Sequence, residues 1–147
     1  MHGKEAGGET VTISGRDAET LRRARRLQIE LRELQKDLDE QRDVALRSLP
    51  LDGMPGRCAD ADRMTARLIR IEKMERKVRD MERHAEAAQW EAKRICWRMK
   101  DRKARMFFEA YYADAHTLET AIRTAGVAQR TAMQYVRLAG DTTDGEA

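Results

Sequence analysis

The sequence contains few of the residues that interrupt helices or build the core of a sheet. Only two prolines occur among 147 residues, and the aromatic side chains amount to two Trp, three Tyr and two Phe. The 41% hydrophobic fraction comes mainly from Ala, Leu, Met and Ile, most of which favour helix. Both prolines, Pro50 and Pro55, fall in one short stretch, so nothing breaks a helix on either side of it. Because strand alternation is also missing, the composition predicts an all-α protein.

Residue types that carry chemistry are equally scarce. Cys58 and Cys96 lack the paired spacing of a zinc site or a disulfide framework, and are expected to be reduced structural or surface thiols. His2, His84 and His116 are isolated, and no Ser or Cys stands in a nucleophile motif. No glycine-rich phosphate loop occurs either. We therefore predict a protein without catalytic residues, metal site or cofactor, and not an enzyme.

Long hydrophobic runs are missing as well. No apolar segment approaches the roughly 20 residues that cross a bilayer, and residues 1–16 lack the apolar core of a secretory signal. The chain is therefore expected to make no membrane contact and to stay in the compartment where it is made.

What the sequence does contain is two long heptad patterns separated by a break. Residues 1–16, with four glycines, are predicted to be a disordered tail, and Asp17 to cap the first helix. Residues 48–59 combine both prolines with turn residues, and a second helix is expected from near Asp60 or Asp62. We predict that residues 17–103 form an antiparallel, coiled-coil-like helical hairpin with its break at 48–59. Its seams contain Leu27, Leu31, Leu34, Leu38, Gln41 and Ala45 in the first helix, and Met64, Leu68, Ile71, Met74, Val78, Met81, Ala85, Ala88, Ala92, Ile95 and Met99 in the second.

Two tryptophans lie on another face of the second helix. Trp90 and Trp97 are seven residues apart and are expected to be structural anchors against the C-terminal region or a second chain, with ligand stacking as the less favoured alternative. Because the second helix is longer than the first, one end of it is free to pair with another subunit or with the C-terminal region. We therefore expect a homo-oligomer, with a dimer favoured.

Basic residues form two clusters, although the net charge is only +3. For the first cluster we favour a solvated helix face over a binding role; it contains Arg22, Arg23, Arg25 and Arg26. The second cluster precedes the C-terminal region and contains Arg98, Lys100, Arg102, Lys103 and Arg105.

After Lys103 the helical pattern changes to shorter units. Residues 104–140 predict a small helical head, which is followed by an acidic tail at 141–147. Residues 106–112 (MFFEAYY) place the aromatic rings at helical spacing, which is more typical of a core than of a base-stacking surface. Thr117 can cap a next helix, Gly126 can end it in the left-handed conformation, and residues 128–138 then form another. Two short helices joined by a glycine-containing turn predict a helix-turn-helix.

The second of these helices carries side chains that suit a major groove. Arg can donate twice to guanine, Gln can pair with adenine, and Thr can reach a phosphate or a thymine methyl. The alternative is the polar face of any amphipathic helix, but the turn and its matched apolar positions favour DNA. The predicted groove-facing residues are Gln129, Arg130, Thr131, Gln134 and Arg137, and the predicted phosphate contacts are Lys100, Arg102, Lys103 and Arg105.

In this order of elements, ending in LETAIRTAGVAQRTAMQYV, the chain resembles small phage-encoded transcriptional regulators of the ArpU and RinA kind across residues 20–140. It departs from their pattern at Ile122, where a small residue is usual, and at Ala128, where Ser often opens the second helix. The resemblance implies a head similar to region four of sigma factors, control of late phage genes in the cytoplasm of a bacterial host, and host RNA polymerase as a further candidate partner. Two alternatives remain: a DNA-packaging protein similar to small terminase subunits, and a coiled-coil interaction protein that does not bind DNA.

Overall fold

The computed structural model describes residues 11–47 and 58–141. These residues form an all-helical structure, with no strand among them, which confirms the predicted fold class. Five α-helices follow one another along the chain, and a π-helical segment continues the third. The elements are α1 (Gly15–Arg47), α2 (Cys58–Trp97), α3 (Arg102–Phe108), the π-helical segment (Glu109–Ala113), α4 (Leu118–Ala125) and α5 (Gln129–Leu138).

Residue contacts divide the chain into two compact units, and the division falls within both long helices. The hairpin unit is Glu30–Arg83, and the described residues of the head unit are 11–29 and 84–141. The head unit therefore contains the first turns of α1 and the last part of α2, as well as residues 104–140.

The hairpin unit consists of two antiparallel helix segments, as predicted. Gln35 on α1 donates to Glu82 on α2 at 3.3 Å, and seven residues later Arg42 donates to Glu75 at 2.8 Å. In each pair the two residue numbers sum to 117, and this constant sum defines the antiparallel register of the two helices. The buried seam is formed by Leu38, Ala45, Ile71 and Val78, with Leu31, Leu34 and Met74 packed against it.

One predicted seam position in this unit is wrong. Leu68 leaves half of its surface, 52%, exposed to solvent. The register places it opposite position 49, which lies outside the described residues. The predicted break at 48–59 lies mostly outside the described residues, and α2 begins at Cys58, a little before the predicted Asp60 or Asp62.

The start of α1 also differs from the prediction. The Ser14 hydroxyl accepts a hydrogen bond from the Asp17 amide at 3.1 Å, so Ser14 caps the helix, and Asp17 lies in its first turn. The serine is the better cap because its oxygen reaches the free amide three residues on. Val11 and Ile13 pack against the core of the head unit, so that part of the predicted disordered tail is ordered. Residues 1–10 of that tail lie outside the described residues, as do 142–147 of the predicted acidic tail.

The head unit has a closed core built around the aromatic segment. Phe107, Phe108 and Tyr112 are fully buried, which confirms their prediction as core residues. Phe108 stacks on Tyr112 at 5.8 Å between ring centroids, and both phenylalanine rings contact Tyr135 of α5. Six small or apolar residues of the two long helices complete this core: Leu21, Ala24, Ala88, Ala92, Ile95 and Cys96.

The caps of the short helices explain where each begins and ends. The Asp101 carboxylate accepts hydrogen bonds from two amides at the start of α3, and the Thr117 hydroxyl accepts one from the Thr120 amide. Gly126 ends α4 with φ +69°, in the left-handed conformation that a side chain disfavours. Ala128 opens α5 without a side-chain cap. The predicted helix-turn-helix, α4 and α5 joined at residues 126–128, is therefore present.

Candidate nucleic-acid interface

The two faces of α5 differ sharply. Ala132, Tyr135 and Val136 are buried in the head unit, whereas the predicted DNA-reading residues lie on the other side. Gln129, Arg130, Gln134 and Arg137 are exposed, and Thr131 is half-buried.

The exposed side chains of α5 are largely unengaged. Within the described part of the chain, neither Arg130 nor Gln134 makes an ion pair or a hydrogen bond through its side chain. Arg137 makes a long hydrogen bond, 3.5 Å, to the Met133 carbonyl of its own helix. Their donors are therefore available to a ligand. The helical offsets of four and three residues put Arg130, Gln134 and Arg137 on one face.

The predicted phosphate contacts lie around the start of α3. Lys100, Arg102 and Lys103 are exposed, and the last two belong to the first turn of the helix. Arg105 is different, because it is half-buried and its guanidinium donates to the Met99 carbonyl at 3.4 Å. It is therefore a weaker candidate than its three neighbours.

Ring contacts join the end of α3 to α5. The Phe107 ring lies 5.5 Å from the Tyr135 ring, and the Phe108 ring lies 5.3 Å from it. Phe107 also stacks on Tyr111 of the π-helical segment. Because residues of α3 and α5 pack in one hydrophobic core, the two groups of predicted DNA contacts are carried by the same unit.

The prediction of a solvated helix face for the first basic cluster is wrong for two of its four residues, Arg22 and Arg25. Arg22 donates to the Ala139 carbonyl at 2.6 Å, and Arg25 donates to the Tyr111 and His116 carbonyls at 2.6 and 2.8 Å. Arg23 and Arg26 are exposed, as expected. The missed signal was the buried series that alternates with these arginines, Ala18, Leu21 and Ala24, which extends the apolar seam towards the N-terminus.

Three acidic side chains of the head unit contact Lys93, Gln89 or Tyr112. Lys93 lies 3.8 Å from Asp114 and 4.0 Å from Glu109, and Gln89 donates to Asp114 at 3.0 Å. Tyr112 donates to the Asp141 carboxylate at 2.7 Å. Burial, together with that hydrogen bond, raises the pKa of Tyr112 far above its ordinary value of 10. Tyr112 therefore stays a neutral donor, and these residues hold the core together.

Cys96 and the two tryptophans differ in their exposure to solvent. Cys96 is buried and has a free thiol, as expected of a structural cysteine. Trp90 and Trp97 are 49% and 50% exposed, and their rings contact each other edge to face at 5.9 Å. They are therefore only partly covered, and the predicted contact with a second chain remains a prediction.

Protein-family models, curated proteins and solved structures give no match to this chain.

Across residues 11–47 and 58–141, no three acidic, histidine or cysteine side chains are grouped to hold a metal ion. None of the helices in the same ranges has both the length and the apolar character that a bilayer crossing requires.

Proposed function

We propose that this protein binds double-stranded DNA in a sequence-specific manner, with α5 as the recognition helix. The observation that carries the proposal is the two-sided character of α5. One side is buried against the aromatic core, and the other presents Arg130, Gln134 and Arg137 to solvent. A helix held in this way after a left-handed glycine turn can enter a major groove without disturbing its own support.

The proposed contacts divide into two kinds. Arg130, Gln134 and Arg137 read base edges, with Gln129 and Thr131 beside them at the start of the helix. Lys100, Arg102 and Lys103 contact phosphates, which positions the protein and contributes most of the salt-dependent affinity. Since the Arg105 guanidinium already donates to a backbone carbonyl, we assign Arg105 a smaller share of the phosphate binding.

At the level of biology, we propose a regulator of late phage or prophage genes that acts as a dimer in a bacterial cytoplasm. The resemblance to the ArpU and RinA kind supports this proposal, as does a head that carries both a helix-turn-helix and a basic segment. Host RNA polymerase is the further partner implied by the sigma-like head. A role in DNA packaging uses the same contacts, and differs in that it requires no effect on transcription.

A second candidate function, protein interaction without DNA binding, is favoured by one observation. Trp90 and Trp97 are large apolar side chains with about half of their surface in contact with solvent. Aromatic residues of this kind are common at the centres of protein interfaces. If binding of a protein partner at the two tryptophans is the only function, the exposed residues of α5 bind no ligand.

Selection of binding sites from a randomised duplex pool by the full chain tests the proposal. We expect an enriched sequence that is bound about a thousandfold or more tightly than random duplex, as is typical of specific DNA-binding proteins. The logarithm of the affinity should fall linearly with the logarithm of the salt concentration. Recovery of unenriched sequences, with no measurable binding at low salt, contradicts the proposal and favours the interaction protein.

A further inference from the structure

The C-terminal end of the recognition helix is bound by an arginine from the other end of the chain. The helix cap is Ala139, and the Arg22 guanidinium donates to its carbonyl at 2.6 Å. Carbonyls at a helix C-terminus have no partner within the helix, and a cation there interacts favourably with the helix dipole. Gly140 leaves room for this contact, because a Cβ at that position would overlap the Arg22 guanidinium.

A second arginine, one turn further along α1, binds the segment that precedes the helix-turn-helix. Arg25 donates to the Tyr111 carbonyl in the π-helical segment and to the His116 carbonyl just before α4. Its guanidinium also lies 3.8 Å from the centre of the Tyr111 ring. The chain bends sharply between these two carbonyls, since Ala115 has φ +55°. Arg25 therefore ties together the two sides of this bend.

Both arginines are directed by the same buried stripe of α1. Leu21 and Ala24 are fully buried in the head core, and each is adjacent in sequence to one of the two arginines. Arg22 and Arg25 are half-buried, and their guanidinium groups already donate to protein carbonyls. Arg23 and Arg26, on the same turns of α1, are exposed. Within five residues, α1 therefore carries two arginines that donate to carbonyls and two that are exposed to solvent.

From these contacts we infer that Arg22 and Arg25 are positioning residues: they fix the orientation of the helix-turn-helix without touching DNA. This inference rests on the proposed function for its consequence, which is discrimination between DNA sequences. Base reading requires side chains held to within a fraction of an ångström. A recognition helix whose end is released should therefore lose more affinity for its preferred site than for random duplex.

Hydrogen exchange on the free full-length protein tests the positioning itself. Arg22→Gln should increase amide exchange in the last turn of α5 by about tenfold or more, the effect of losing a hydrogen bond from a charged group. Arg25→Gln should do the same at residues 109–116. The matched controls, Arg23→Gln and Arg26→Gln, remove the same charge and should change exchange there less than twofold. Equal exchange in all four variants overturns the inference.

DNA binding then separates a positioning role from a direct phosphate contact. Arg22→Gln should reduce affinity for the selected duplex by about tenfold and for random duplex less, and leave the slope of affinity against salt unchanged. A lower slope with an equal loss for all duplexes means that Arg22 contacts phosphate, which contradicts the inference. If Arg22→Gln does not fold, Arg22→Lys keeps the charge but not the guanidinium geometry, and should show the same pattern to a smaller extent. If the parent protein binds no DNA, the proposed function fails, and the exchange data alone decide the positioning.

Discussion

The head unit and the hairpin unit are both made of helix, but they bury their side chains very differently. The largest fully buried side chains all lie in the head unit: Tyr112, Phe107, Phe108, Leu21 and Cys96. In the hairpin unit the seam residues Leu38, Ala45, Ile71 and Val78 each keep 5–8% of their surface exposed. Two helices alone cannot enclose a side chain on all sides, whereas the head unit surrounds its core with segments of every helix. We conclude that the packing that holds a binding site rigid is concentrated in the head unit.

The largest expected effect of a substitution is therefore in the aromatic core. Phe108→Ala should destabilise the head unit by about 3–5 kcal/mol, because a fully buried ring is lost and leaves a cavity. Denaturant unfolding followed by tryptophan fluorescence measures this change, since both tryptophans of the chain lie in the head unit. A loss of less than 1 kcal/mol would show that this core is not the main source of stability.

Alkaline pH should also act on the head unit. Burial, and then the charges of Glu109 and Asp114, raise the pKa of the Cys96 thiol from 9.0 to about 12. The contribution of the neutral thiol to stability is fully present below pH 9, and is lost as the pH rises towards 12, at about 1.4 kcal/mol per pH unit. The raised pKa of Tyr112 adds a loss of the same sign above pH 10.

Cys96→Ala is the matched control for this pH dependence. The free energy of unfolding of the variant at neutral pH serves as its reference. Between pH 9 and pH 10 this free energy should no longer decline in the variant. The loss above pH 10 should remain. Unfolding free energies measured from pH 7 to 11 give the result. An identical decline in both proteins would exclude Cys96 as its source.

The turn of the helix-turn-helix should show an intermediate effect. Gly126 has φ +69°, and a Cβ there meets no atom within 4 Å, so a substitution strains only the backbone. Gly126→Ala should cost about 1–2 kcal/mol, and Gly126→Asn less, since asparagine tolerates the left-handed conformation. Equal stability of the alanine variant and the parent, measured by thermal unfolding, would contradict this assignment.

The smallest effect is expected in the hairpin unit. Ile71→Val removes one methylene group from a buried seam residue that keeps 8% of its surface exposed, and should cost about 0.5–1.5 kcal/mol. Circular dichroism of the whole chain should detect the change, while the tryptophan signal of the head unit moves less. A larger shift in the tryptophan signal than in the dichroism would remove the contrast between the two units.

Local patterns were enough to predict most of the fold. The heptad seams apart from Leu68, the Thr117 cap, the Gly126 turn and the aromatic core follow from spacing and residue type, and the structure confirms them. The arginine contacts could not be predicted in this way, since Arg22 and Ala139 are separated by 117 positions in the chain. The cap at Ser14 was missed because an acidic residue three positions later carries the same signal. Periodicity also does not distinguish Leu68, which is exposed, from the buried seam residues.

The recognition helix is the central claim, and one comparison of binding tests it most directly. Arg130→Ala in the head unit and Arg79→Ala in the hairpin unit remove the same charge from exposed positions. Against the selected duplex, Arg130→Ala should lose about 1–3 kcal/mol of binding free energy, with a smaller loss on random duplex, while Arg79→Ala binds both as the parent does. If instead Arg130→Ala, folded as judged by circular dichroism, binds the selected duplex as tightly as Arg79→Ala does, α5 is not the recognition helix.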